Sequence, residues 1–372
     1  MADNLPNSVI GRDILSFVDR STWDNLVVVN REIHQESRNL KAEAPWPVGE
    51  LIRGVGYERD ESIQICFSAD GDYLCVLSWE DHGLVEQYKI RMWHKVVGSC
   101  GCIVFSLSNS FDPTTVYRVC FSPVENILAS LHKMPGRRKV FRLWEVNAEG
   151  MTFKVEVRLE HDLDVFDCTF SRDGRHLILI CRDSTLRIYS VSDAQLIKVV
   201  HLVGDRVGVF SCVGIMADGR QVVCLEYGMN RMNRRVCLWD IHGDGSPVED
   251  VCVCQEGESV SRIAISPLDD SIAIMRRLGV INLARRARDM TWTIEVVADG
   301  KCFETSVGMY FSTNGQLLAT VRVDGGIEIW DAIKGKYLRT IFGYQFWKLA
   351  FSPDGSLLAA TSSDDRLWLY NV

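Results

Sequence analysis

The stretch Tyr310-Phe-Ser-Thr-Asn-Gly315, continued by Leu317-Leu-Ala-Thr-Val321 and Ile327-Glu-Ile-Trp330-Asp331, decides the fold. Asn314-Gly315 tolerates the positive φ of a tight hairpin turn, so it marks the joint of two antiparallel strands. Residues 317–321 are β-rich, and 327–330 alternate apolar–any–apolar–aromatic, as a strand with two unlike faces requires. A weaker fourth strand is expected at 337–341.

Outward from this stretch the pattern returns. Cys66-Phe-Ser-Ala-Asp-Gly71, Cys120-Phe-Ser-Pro-Val-Glu125, Thr169-Phe-Ser-Arg-Asp-Gly174 and Gly214-Ile-Met-Ala-Asp-Gly219 precede it, with Ala264-Ile-Ser-Pro-Leu-Asp269. Ala350-Phe-Ser-Pro-Asp-Gly355 follows and brings the count to seven. The third-strand motif recurs as Ile90-Arg-Met-Trp93, Phe141-Arg-Leu-Trp144, Leu186-Arg-Ile-Tyr189, Val236-Cys-Leu-Trp239 and Leu367-Trp-Leu-Tyr370. The fifth unit, Val280-Ile-Asn-Leu-Ala284, lacks the aromatic and reads as degenerate. The mean spacing is about 47 residues, the period of four-stranded propeller blades. Such units cannot bury both sheet faces alone, whereas a closed ring of them can. The expected fold is all-β, a seven-bladed β-propeller over 46–372, preceded by a short α-helical segment over 1–45. The seventh unit ends after its third strand, so a segment before the first unit, at 50–57, is expected to supply the missing fourth.

Trp239-Asp240 and Trp330-Asp331 are the dipeptide that names the WD-repeat proteins, and the chain resembles that family over about residues 50–372. Asp183, Asp324 and Asp364 lie six residues ahead of the third-strand aromatic, where the family places a turn aspartate. The Gly-His pair that often opens a family repeat is largely missing, and His161 is the nearest candidate. The resemblance implies protein–protein recognition.

The N-terminal segment neither repeats nor alternates. Val9, Ile10, Ile14, Leu15, Phe17 and Val18 recur at helical spacing, and Ser21-Thr-Trp-Asp24 is a capping-box variant. Leu26, Val29 and Ile33 extend the apolar stripe, and Ala44-Pro-Trp-Pro47 stops helices. Helices this short have too little core of their own and need a surface to pack on. The pattern from Leu5-Pro6 to Val29-Asn-Arg31 resembles an F-box, the module that docks on the adaptor of cullin-type ubiquitin ligases. That resemblance implies an adaptor surface of Leu5, Pro6, Ile10, Ile14, Leu15, Phe17, Leu26 and Val29. It departs from the family at Asn30 and Ile33, where Cys and a nearby Trp are usual. The other reading makes these helices a cap on a scaffold propeller with no ligase role.

The composition is ordinary for a globular protein: 372 residues, 47% hydrophobic, 24% charged, with a net charge of −8. The charge argues against blanket nucleic-acid binding. No apolar run reaches the roughly 18 residues of a membrane helix, and the opening MADNLP lacks a secretory pattern. Thirteen cysteines in such a chain read as reduced thiols of cytoplasm or nucleus. Cys100-Gly-Cys102 and Cys252-Val-Cys254 lack a second pair at finger-like spacing and read as small buried side chains rather than metal ligands.

No phosphate loop, nucleophile elbow, zinc-protease or calcium-loop motif is present, so neither an enzyme nor a cofactor is expected. A hydrolase would need carboxylates converging on the ring's channel, for which Asp164 and Asp167 are the candidates. The loops say more. Between second and third strands, units one, two and four are longer than the others by about seven, four and five residues. All these loops leave one face of a propeller. They carry Arg137, Arg138 and Lys139 in unit two and Arg231, Arg234 and Arg235 in unit four, with Arg276 and Arg277 at the same place in unit five. The expectation is a basic patch that grips carboxylate or phosphate on a protein or peptide client. Met134, Met229 and Met232 flank it as adaptable apolar contacts. Arg285, Arg286 and Arg288 follow a third strand and belong to the opposite face.

Overall fold

The computed structural model describes residues 49–372 apart from 53–63, 82–85, 95–100, 104–114, 149, 162, 203–208, 217–218, 228–233, 244–246, 254–259, 277–278, 288–290, 300–307, 323–324, 343–345 and 363–366. Seven four-stranded antiparallel sheets fill it. Blade one is Gln64–Phe67, Tyr73–Asp81, Glu86–His94 and Gly101–Ile103. Blade two is Thr115–Phe121, Ile127–Lys133, Lys139–Asn147 and Gly150–Arg158, and blade three Val165–Phe170, His176–Cys181, Thr185–Ser190 and Leu196–His201. Blade four is Val209–Ile215, Gln221–Tyr227, Arg234–Asp240 and Pro247–Val253. Blade five is Val260–Ile265, Ser271–Arg276, Val280–Arg286 and Trp292–Asp299, and blade six Gly308–Phe311, Leu317–Val321, Ile327–Asp331 and Lys336–Ile341. Blade seven takes Phe346–Phe351, Leu357–Ser362 and Leu367–Asn371 from the end of the chain. Its fourth strand is Gly49–Ile52, with Gly49 opposite Leu369 and Glu50 opposite Trp368. The innermost strands touch in cyclic order, blade seven against blade one included, so the ring closes. The expected helices at 1–45 lie outside the described residues.

The repeated serine explains why the motif recurs. Ser68, Ser122, Ser171, Ser266, Ser312 and Ser352 are all buried, a placement a hydroxyl tolerates only when hydrogen-bonded. Ser171 Oγ accepts the His176 N–H at 2.9 Å and donates to the Asp173 carboxylate at 2.6 Å. Ser68 does the same with Tyr73 and Asp70, and Ser312 with Leu317 and Asn314. The following glycine takes positive φ in all five Asp-Gly or Asn-Gly turns, from +63° at Gly315 to +75° at Gly71. In blade four Met216, also buried, stands where the others have serine.

The core lies between blades, not within them. Seven apolar clusters fill seven seams. Leu74, Val76 and Trp93 of blade one meet Leu357, Ala359 and Leu369 of blade seven, so the closing seam is as apolar as the rest. Fully burying a Leu or Val contributes about 1.5–3 kcal/mol, and loss of one blade strips two seams at once. The turns add polar ties. Asn126 of blade two donates to Asp70 of blade one, and Thr313 Oγ1 of blade six donates to the Ser352 carbonyl of blade seven at 2.7 Å.

Candidate ligand face

Connections from second to third strands leave one face, together with those from each fourth strand to the next blade. On that face the seam between blades two and three gathers cations. Arg138 is exposed just before the third strand of blade two, and Lys139 opens that strand. Arg182 follows the second strand of blade three, and its N–H donates to the Asp164 carbonyl at 2.7 Å, fixing the loop. Asp164 takes Lys139 on one oxygen and Arg182, at 3.4 Å, on the other. Lys139 lies 5.7 Å over the Tyr117 ring and Arg182 5.3 Å over the Phe166 ring. Burial, with Lys133 and Arg182 nearby, pushes the Lys139 pKa down. The arrangement is two cation–aromatic stacks joined by one carboxylate, with Arg138 and exposed Lys133 beside them.

Just below, Arg118 donates through Nε to the Phe166 carbonyl at 3.0 Å and stands 3.6 Å from Asp167. Burial pushes the Asp167 carboxyl up, opposed by the charge of Arg118 and the Cys168 N–H, with a smaller opposing pull from the Lys348 charge. Asp167 keeps 44% of its side chain exposed. The two carboxylates proposed for channel chemistry are thus each engaged by cations: Asp164 by Lys139 and Arg182, Asp167 by Arg118.

Of the expected patch, Arg138 and Lys139 fall in this cluster. Arg235 is half-buried and paired with Asp250 of its own blade at 3.4 Å, and Arg276 is half-buried at the end of its strand. Arg231, Arg277 and the side chains of Arg137 and Arg234 lie outside the described residues, as do Met229, Met232, Asp324 and Asp364. The sequence reading missed Arg182, Tyr117 and Phe166. Arg182 sits in a loop that is not lengthened, and the two aromatics lie on inner strands where they read as core. The loop insertions also turned out differently. In blade one much of the added length extends the hairpin, whose strands run nine residues each and pair as far as Asp81 opposite Glu86.

His161 is exposed on a turn. The polar network in its blade is built instead on buried Arg187, which meets Glu160 at 2.6 Å and Asp183 at 3.4 Å. Asp183 also accepts the Thr185 hydroxyl at 2.6 Å. In other blades a third-strand tryptophan donates to a nearby hydroxyl. Trp144 donates to Ser130 at 2.8 Å, Trp330 to Thr320 at 3.3 Å and Trp368 to Ser362 at 3.2 Å. Arg285 and Arg286 serve as ties between blades: Arg285 donates to the Ala332 carbonyl of blade six, and Arg286 meets Glu249 of blade four.

Residues 153–190 and 335–371 match the family model of the WD domain, G-beta repeat. Two segments of the chain thus match a WD40 repeat. Each matched WD repeat spans the fourth strand of one blade and three strands of the next, the same stagger by which Gly49–Ile52 closes blade seven. The chain is similar to the Periodic tryptophan protein 2 homolog of Dictyostelium discoideum, 27% identical over 110 residues. It is similar to DDB1- and CUL4-associated factor 13 of Xenopus laevis, 26% identical over 118 residues. Nuclear distribution protein PAC1 of Arthroderma benhamiae is 41% identical over 64 residues. These matches cover 30%, 32% and 16% of this chain and only 11%, 24% and 14% of those proteins. WD repeats on a seven-bladed ring support a protein-interaction role.

Proposed function

We propose that the protein is a client-recognition subunit of a cullin-type ubiquitin ligase. In this reading residues 46–372 select a protein or peptide on the face that carries Arg138, Lys139 and Arg182. Residues 1–45 attach the ring to the ligase adaptor through Leu5, Pro6, Ile10, Ile14, Leu15, Phe17, Leu26 and Val29. The observation that carries the recognition half is the cationic cluster at the seam of blades two and three. Arginine there presents a planar fork to carboxylate or phosphate beside aromatic faces. The ligase half is supported by the F-box-like pattern and by partial similarity to a protein whose name couples it to CUL4. The second reading is a WD scaffold with no ligase role, its N-terminal residues a cap.

An affinity capture separates the two. The wild-type protein retains the adaptor, and an Ile14→Asp, Phe17→Asp double variant loses it while the ring keeps its thermal transition. Equal recovery with both proteins, or with neither, rejects the ligase reading. Reversing Arg138 and Arg182 to Glu tests the face, because client capture then falls at least tenfold. Capture that also survives substitution of Arg137, Arg138, Lys139, Arg231, Arg234 and Arg235 removes the face from the account.

A further inference from the structure

Below the cationic cluster, the same seam holds a pair of thiols from different blades. Cys120 ends near the base of the innermost strand of blade two, Cys168 lies on that of blade three, and their Sγ atoms are 3.4 Å apart. Cys120 is half-buried and Cys168 buried. Two other thiol pairs among the described residues face each other within a single hairpin. Cys66 stands opposite Cys75 within one hairpin of blade one, and Cys224 opposite Cys237 within one of blade four. A bond across a hairpin joins chain already held by its ladder. A bond from Cys120 to Cys168 would join two blades that share no strand ladder.

The geometry points to Cys120 and Cys168 as an oxidation site, at which hydrogen peroxide forms a disulfide fastening blade two to blade three. The closed bond needs the sulfurs to approach from 3.4 Å to about 2.0 Å, within reach of side-chain rotation on two touching strands. The step balances. The more open Cys120, as thiolate, attacks one peroxide oxygen, the O–O bond breaks, and the departing oxygen takes up a proton to leave as water. The resulting sulfenic acid is attacked at sulfur by Cys168, an S–S bond forms, and the sulfenic hydroxyl leaves as a second water. Two thiols lose two electrons and one peroxide gains them. The neighbouring Cys168 sulfur and burial both push the Cys120 thiol up, so little thiolate stands ready and the reaction is slow. This inference does not rest on the ligase reading.

The test uses the full chain and hydrogen peroxide, followed by peptide mapping without reductant. The expected product is a linked peptide pair containing Cys120 and Cys168, reversed by dithiothreitol. The link spans 48 residues, and the oxidised protein is expected to melt higher by about 5 °C at most. Cys120→Ser and Cys168→Ser each lose both the link and the shift, while Cys75→Ser keeps them. Because a serine variant can fail to fold, the wild-type mapping is decisive by itself. Two free thiols after exposure that oxidises other cysteines, a link between other residues only, or Cys120 carried to sulfinic acid without a bridge would each overturn the assignment.

Discussion

Blades five and six lie side by side and solve one packing problem in two ways. Blade six follows the repeat: Trp330 sits in the seam toward blade five and donates to the Thr320 hydroxyl, and Gly315 closes its turn at φ +63°. Blade five has Ala284 where the aromatic belongs and Ser-Pro-Leu-Asp in its turn. Its seam toward blade four is filled from the next strand outward. Trp292 packs there, with Arg286 5.7 Å over its ring and held by Glu249 and Gln221 of blade four. Its turn closes through Asp269, which accepts the Ser271 N–H at 3.2 Å. What a blade needs is a large flat side chain at the seam and a satisfied turn. The repeat supplies one set of residues for that, and other sets serve as well.

The largest break in this comparison is expected from Trp330→Ala, which empties the seam and leaves the Thr320 hydroxyl without its donor. Chemical denaturation should show a loss of about 3–5 kcal/mol. Acid should separate blade two from blade six, because both have the Trp-to-hydroxyl bond but only blade two adds a buried imidazole. His132 is fully buried, with Nε2 2.8 Å from Ser130 Oγ, and burial pushes its pKa down to about 3. The unfolded chain, with His near 6.5, binds the proton first, so stability falls as pH drops from about 6.5 toward 3. Unfolding free energy from pH 7 to 4.5 should lose about 2–3 kcal/mol on this account, and His132→Gln should remove that slope.

Trp292→Ala tests the compensation directly. A half-buried ring under a guanidinium should cost about 1–3 kcal/mol, less than Trp330 but well above an ordinary surface change. A cost near zero would mean that blade five is simply underpacked. Gly315→Ala should cost about 1–2 kcal/mol, since its positive φ strains any side chain and the new Cβ would stand 3.0 Å from Ser266 Oγ. Asp269→Ala, which loses one exposed turn hydrogen bond, should cost about 0.5–1 kcal/mol by the same measurement.

The ring was legible because its signals are local and repeated. Five glycines at turn positions and six third-strand aromatics named the strands, and the truncated last unit named its closing partner. Among the described residues the closing strand is Gly49–Ile52, which overlaps the near end of the expected segment. The candidate face was only half legible. Loop length and charge pointed to Arg138 and Lys139, but Arg182 and Phe166 join them only through the approach of two blades 48 residues apart in repeat phase, and Tyr117 reads as core on an inner strand. Asp164, read as a channel acid, became their counter-ion for the same reason. Trp292 was equally hidden, since a fourth-strand aromatic gives no sign that it fills a gap left by Ala284.

The claim on which the rest stands is that the chain closes on itself through its two ends. Amide hydrogen exchange across residues 367–371, in the full chain and in one lacking residues 1–52, tests it most directly. Those amides should be protected in the full chain and exchange at least a hundredfold faster in the shortened one, with the inner strands of blades one and seven loosened as well. Equal protection in both would contradict closure by Gly49–Ile52 and, with it, the shared face on which the ligand site is placed.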